Sequence, residues 1–213
     1  KEAPSSYEKI VFTDIYNFPL FQDLDVKLIP APKKEFIFLD DLKFDAAETI
    51  DGEFIITDGD LFIKNEFKIP SDFKIGFECK LECENTFKMK LLMQKEGIDK
   101  ELNYWKGKSK FINNLGLMYF NDDSLKNELI KEYRNTQLFF SLFIDKKYKI
   151  NKREVLFGSA GCCMFTYQFL ESIGVTPFYF LDKNLNNFDH LGGPRKLEFL
   201  DEFHNLKDSR TII

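Results

Sequence analysis

At 213 residues, with 44% hydrophobic and 31% charged residues, the chain has the length and balance of one large globular domain or two small ones. A net charge of −5, with lysines interleaved among glutamates and aspartates, supplies no field that would draw in nucleic acid. No run approaches the roughly 18–20 apolar residues of a membrane span, and four cysteines do not make a disulfide scaffold.

Residues 1–8 read as a flexible lead, and 9–213 as a single β-rich domain with a possible subdivision at the Pro30–Lys34 punctuation. The chain begins at Lys1 rather than Met, so an upstream segment can precede it. The compartment is left open, with a secreted or extracytoplasmic location favoured over a cytosolic one. Ile10–Phe12 and the alternating Leu24, Val26 and Leu28 predict two short strands around a loop at Asn17–Asp23. Phe36–Leu39 and Leu42–Phe44 predict further strand pieces.

Asp58-Gly59 is a preferred dipeptide for a two-residue turn, so Gly52–Ile69 predicts a hairpin with Ile56 opposite Leu61 and Phe54 opposite Ile63. Phe73, Ile75, Phe77, Cys79, Leu81 and Cys83 then fall at every second position, and Phe87, Met89, Leu91 and Met93 resume the alternation. Side chains alternate across a strand, so this predicts a second hairpin, looping at Glu84-Asn85-Thr86, with one buried face and Glu78, Lys80 and Glu82 turned outward. An isolated two-stranded unit is marginal, so more strands and a covering layer are expected. Four strands in a row predict an antiparallel meander.

Residues 95–110 are polar and hold the one tryptophan, Trp105. Phe111–Phe120 predicts a strand that Gly116 either weakens or bulges. Leu125, Leu129, Ile130 and Tyr133 recur at helical spacing behind Ser124, the expected N-cap. Leu138–Ile144 and Tyr148–Ile150 predict a hairpin at Asp145-Lys146-Lys147, followed by Val155–Phe157. Cys163, Phe165, Tyr167 and Phe169 alternate and predict a strand, as does Phe178–Leu181. Leu197, Leu200, Phe203 and Leu206 behind Pro194 predict a C-terminal helix.

These elements predict a mainly β fold, an antiparallel sandwich of jelly-roll or lectin-like kind with one or two short helices. The run DLFIKNEFKIPSDFKIGFECKLE (60–82), followed by LFFSLFIDKKYKI (138–150), resembles concanavalin-type sandwich modules in strand pattern. There a strand enters the core and a late strand ends in an Asp-containing hairpin.

Chemistry-bearing patterns are sparse. Cys79 and Cys83 lie about 13 Å apart on a regular strand, too far for a disulfide. Gly158–Gly161 lacks the endings of a phosphate loop or dinucleotide fingerprint, and no cofactor is implied. The histidines and cysteines have no zinc spacing, and Asp58, Asp60, Asp122 and Asp123 read as solvated loop acids rather than calcium ligands. Cys162 or Cys163 with His190 or His204 is a possible thiol–imidazole pair. The Phe content, 25 residues, admits a carrier of an apolar ligand. Tyr104, Trp105, Lys106 and Lys108 are the expected binding residues, an exposed indole with cationic neighbours able to stack on a sugar or anchor a protein partner. The functional expectation is therefore a non-catalytic binding module for a protein or glycan.

Overall fold

The computed structural model describes residues 6–32, 41–59, 61–82, 111–143, 160–184 and 187–190. In chain order these form β1 (Ile10–Thr13), a 3-10 helix (Ile15–Leu20), β2 (Lys27–Pro30), α1 (Asp41–Glu48), β3 (Phe54–Thr57), β4 (Leu61–Ile63) and β5 (Ile75–Glu82). There follow β6 (Phe111–Phe120), α2 (Asp123–Phe143), α3 (Ala160–Ser172), β7 (Phe178–Tyr179), α4 (Phe180–Asn184) and β8 (Phe188–His190). The fold is mixed α/β with substantial sheet.

The central sheet has the order β3-β6-β5-β7 among the described residues, with β1-β2 and β4-β8 as separate pairs. It is not purely antiparallel, because β7 runs parallel to β5 at Gly76 and Phe77. β6 is its spine, pairing antiparallel with β3 from Phe54 to Thr57 and with β5 from Ile75 to Glu82. The expected meander is therefore interrupted, since β6 enters between β3 and β5. Phe87–Met93, the expected hairpin partner of β5, and the C-terminal helix lie outside the described residues.

One face of this sheet is covered by helices rather than by a second sheet. Phe77, Met118 and Phe120 pack with Phe44 of α1, with Leu129 and Tyr133 of α2, and with Phe165 and Phe169 of α3. The opposite face, carrying Leu117, Tyr119 and Phe178, is covered by Leu61, Phe67 and Phe180. Phe77 is 0% exposed, as its alternating row requires, but so is Glu78, expected to face water. With both faces covered, the outward positions of β5 become interior wherever the second layer reaches them.

Glu78 is accommodated by a bulge. Phe77 pairs with Met118 and Cys79 with Asn114, two positions on β5 against four on β6. The extra residues in β6 flip its alternation, so that Ile112, Leu115 and Met118 all join the helix-side core. Gly116 sits in this bulge, and a Cβ there would overlap the Glu78 carboxylate. The sequence signal of Gly116 as a bulge is thus met, for a reason of close approach.

Several expected elements are corrected. The Asp58-Gly59 turn forms, with Leu61 N–H donating to the Asp58 carbonyl at 3.1 Å, but the hairpin does not. Asp58 N–H donates to the Gly116 carbonyl at 2.9 Å, locking β3 against β6, while β4 leaves to pair with β8. Leu42–Phe44 is helical, because α1 buries Phe44 and Ala47 against α2. Leu138–Phe143 is the end of α2 rather than a strand, which removes the second half of the resemblance to concanavalin-type modules. Cys163–Phe169 is also helical: Phe165, Thr166, Gln168, Phe169 and Leu170 are all buried, so α3 is interior nearly all round. Phe178–Leu181 is a strand only at Phe178–Tyr179.

α2 follows its predicted stripe, with Leu125, Leu129, Ile130 and Tyr133 all buried. Its cap is Asp122 rather than Ser124: the Asp122 carboxylate accepts from Leu125 N–H at 2.9 Å and from Lys74 at 2.6 Å. Lys126, 1% exposed, pairs with Asp123 at 2.9 Å and Asp51 at 3.3 Å and donates to the Ile50 carbonyl. Arg134 of α2 joins Asp45 and Glu48 of α1, and the Tyr133 hydroxyl donates to buried Asp41. No described helix is long and apolar enough to cross a membrane.

Candidate functional site

The connection from β1 to β2 is where the described surface departs from ordinary. β1 and β2 are parallel, Ile10 opposite Lys27 and Thr13 opposite Pro30, so the chain must cross back between them. The crossover is held by its own backbone. Asp14 caps the 3-10 helix, its carboxylate accepting from Tyr16 N–H at 3.0 Å, and Asn17 N–H donates to the Asp14 carbonyl at 2.9 Å. Phe21 N–H then donates to Phe18 and Leu24 N–H to Phe21, both at 3.0 Å. Lys27 N–H to Lys9 and Ala31 N–H to Thr13, each 2.8 Å, close the two ends of the pair.

Local hydrogen bonding, not apolar burial, thus fixes this segment, and it leaves large side chains in water. Ile15 is 61% exposed, Tyr16 79%, Leu20 74% and Leu24 56%. Single exposed apolar residues need no explanation, but here four large ones fall within ten positions, each more than half exposed. Phe18 and Phe21 of the same segment are part-buried. The sequence reading treated Asn17–Asp23 as a plain loop; the available signal was its apolar content, since IYNFPLFQDL is richer in large apolar residues than a turn requires.

The expected binding residues Tyr104, Trp105, Lys106 and Lys108 lie outside the described residues. Of the thiol–imidazole candidates, Cys162 and Cys163 fall in the first turn of α3, and His190 ends β8, opposite Leu61 of β4. His204 lies outside the described residues. Cys79 is buried in β5.

The polar groups of the interior are engaged in holding elements together. Lys43 of α1 bridges the Asp58 carboxylate at 2.6 Å and the Leu115 carbonyl at 2.7 Å, tying helix to bulge. Asn113 donates to Thr166 of α3 at 3.3 Å and accepts from the Tyr179 hydroxyl at 3.1 Å. Burial drives the Tyr179 phenol well above its ordinary range, and burial with the neighbouring Glu53 carboxylate does the same to Tyr119. The Lys74 hydrogen bond lowers Asp122, and the Lys126 hydrogen bond lowers Asp123. Burial of Arg134 opposes its charge, but Glu48 and Asp45 outweigh it and its pKa rises.

Among the described residues no cluster of three or more His, Cys, Asp or Glu is placed to hold a metal ion. A crevice between α2 and α3, lined by Leu129, Glu132, Tyr133, Phe165, Thr166 and Phe169, has no room for a water molecule. Comparison with protein families, with curated proteins and with solved structures found no match.

Proposed function

We propose that this protein is a non-catalytic binding module that recognises a protein or glycan partner. The observation that carries the reading is the exposure of Ile15, Tyr16, Leu20 and Leu24 on one hydrogen-bonded crossover. A segment tied by its own hydrogen bonds presents such residues at lower entropic cost than a free loop, and Tyr is among the side chains that dominate interface energies. The segment carrying Tyr104, Trp105, Lys106 and Lys108 remains the second proposed contact region, on the chemistry of its indole and lysines. For the fold, the finer proposal is that the β4-β8 pair, packed through Leu61 on the face opposite the helices, belongs to a second sheet of a sandwich.

The test is affinity capture from the native source with wild type, Tyr16→Ser/Leu20→Ser and Trp105→Ala. A specific partner retained by wild type and lost with either variant supports the reading and locates the contact. A partner set unchanged by both variants, together with no binding to a glycan array, refutes it.

The alternative is a thiol-dependent enzyme using Cys162 or Cys163 with His190. What favours it is the place of both cysteines in the first turn of a helix, where the helix dipole favours a thiolate. Selective, rapid alkylation of the native protein at either cysteine at pH 6.5 is its expected signature; alkylation no faster than that of Cys79 removes it.

A further inference from the structure

We propose that Asp51-Gly52 is a site of spontaneous backbone modification, where the native chain isomerises to isoaspartate through a succinimide and so loosens the start of α2. The chain has two Asp-Gly dipeptides, Asp51-Gly52 and Asp58-Gly59, and no Asn-Gly. Glycine has no Cβ to shield its nitrogen, so an aspartate before it closes the five-membered ring more readily than before a residue with a side chain.

The two dipeptides share their chemistry, and the fold separates them. Asp58 is pinned on every side: its carboxylate meets Lys43 at 2.6 Å, its N–H donates to the Gly116 carbonyl, and its own carbonyl accepts from Leu61 N–H. Its side chain is 35% exposed, whereas that of Asp51 is 91% exposed. Among the described residues neither the N–H nor the carbonyl of Asp51 makes a hydrogen bond. Its carboxylate is tied to Lys126 at 3.3 Å, and an ion pair whose acid stands in water holds weakly. Gly52 has a φ of 80° and open space where a Cβ would stand. Its N–H donates to the Asp123 carboxylate at 3.2 Å, a bond that lies along the N–H and does not occupy the faces of the nitrogen.

In the reaction the Gly52 nitrogen bonds to Cγ of Asp51, and the carboxyl hydroxyl leaves with the amide proton as water. Water then adds back to the ring. Breaking the new Cγ–N bond restores aspartate. Breaking the bond from the nitrogen to the main-chain carbonyl carbon of Asp51 leaves the chain running through Cγ, one methylene longer, with the carboxylate on Cα. Water is the only other reactant. The lengthened segment bears on α2, because the Ile50 carbonyl and Asp51 carboxylate meet buried Lys126 while Gly52 N–H meets Asp123 in the same first turn. An extra methylene between Ile50 and Gly52 shifts these groups relative to one another, and the three contacts no longer fit together.

The test ages the native full chain for weeks at about pH 5, where more carboxyl groups carry the departing proton than at neutral pH. Isoaspartate is scored peptide by peptide with an isoaspartyl carboxyl methyltransferase and S-adenosylmethionine, and the succinimide by its loss of one water in mass. The peptide spanning 51–52 should accumulate isoaspartate at least about tenfold faster than that spanning 58–59, where reaction must wait for local opening. In the urea-unfolded chain the two rates should draw together. Equal native rates at the two sites, or a native rate at Asp51 as far below its unfolded rate as that of Asp58, overturns the proposal. Asp51→Glu keeps a carboxylate for Lys126 but would need a six-membered ring. Its urea midpoint should match fresh wild type and stay there on ageing, while that of wild type falls as isoaspartate accumulates. Isomerised wild type with an unchanged midpoint, or an equal fall in both proteins, overturns the link to α2.

Discussion

β6 and the β1–β2 crossover are both rich in large apolar side chains and meet opposite fates. In FINNLGLMYF, Ile112, Leu115, Leu117, Met118, Tyr119 and Phe120 are all buried. In IYNFPLFQDL, Ile15, Tyr16, Leu20 and Leu24 are each more than half exposed. The difference is neighbours. β6 has strands on both edges, helices over one face and the Leu61–Phe73 segment over the other. The crossover connects a pair that is two-stranded among the described residues and satisfies its backbone by short-range hydrogen bonds. Apolar content alone therefore does not locate a core. It locates one where successive layers meet, and elsewhere it marks surface left available for contact.

The comparison breaks most readily on its buried side. Phe77→Ala should destabilise the protein by about 3–5 kcal/mol, read from urea unfolding, because the site is enclosed by sheet and helices and cannot collapse fully. A loss below about 1 kcal/mol would mean that the layer over β5 is loose. Gly116→Ala should cost about 1–3 kcal/mol, since the new methyl must displace the enclosed Glu78 carboxylate. An unchanged midpoint would put Glu78 elsewhere.

Asp122→Asn probes the edge of the core, at the start of α2. Its carboxylate is held below the usual range chiefly by the Lys74 hydrogen bond and also by Leu125 N–H. A lowered carboxylate contributes stability fully above its unfolded value of about 4, and that contribution disappears as pH falls through the folded value. Substitution should therefore cost on the order of 1 kcal/mol at pH 7 and flatten the stability profile in the acid range below about pH 4. An acid limb as steep as that of wild type would remove Asp122 from the account. On the exposed side, Tyr16→Ser should move unfolding by less than about 0.5 kcal/mol while weakening partner binding. A large destabilisation would show that Tyr16 belongs to the core after all.

Much of the fold could be read from the chain where one physical signal acted alone. Leu125, Leu129, Ile130 and Tyr133 fit only a helix, and the alternating row through Phe77 fits a strand. Legibility failed where burial on both sides erased the period. In α3, Phe165 and Phe169 are four apart, as a helix requires, yet Cys163, Phe165, Tyr167 and Phe169 also alternate. Leu42–Phe44 read as a strand piece, but 41–48 is a helix packed on α2, with Tyr133 and Arg134 engaging Asp41 and Asp45 in the interior. The Asp58-Gly59 turn was read correctly and its consequence was not, because pairing with a strand more than fifty residues away outcompeted the local hairpin. The exposed crossover was illegible for a related reason: nothing in the residues themselves states which apolar groups a distant layer will cover.

Nitration of the native full chain, followed residue by residue by mass spectrometry, tests the contrast between the two regions most directly. Tyr16 should react about as fast as in the unfolded chain, while Tyr119 and Tyr133 stay protected until the protein unfolds. Protection of Tyr16 equal to that of Tyr133 would contradict the account, because the crossover would then be covered and its side chains would belong to the interior.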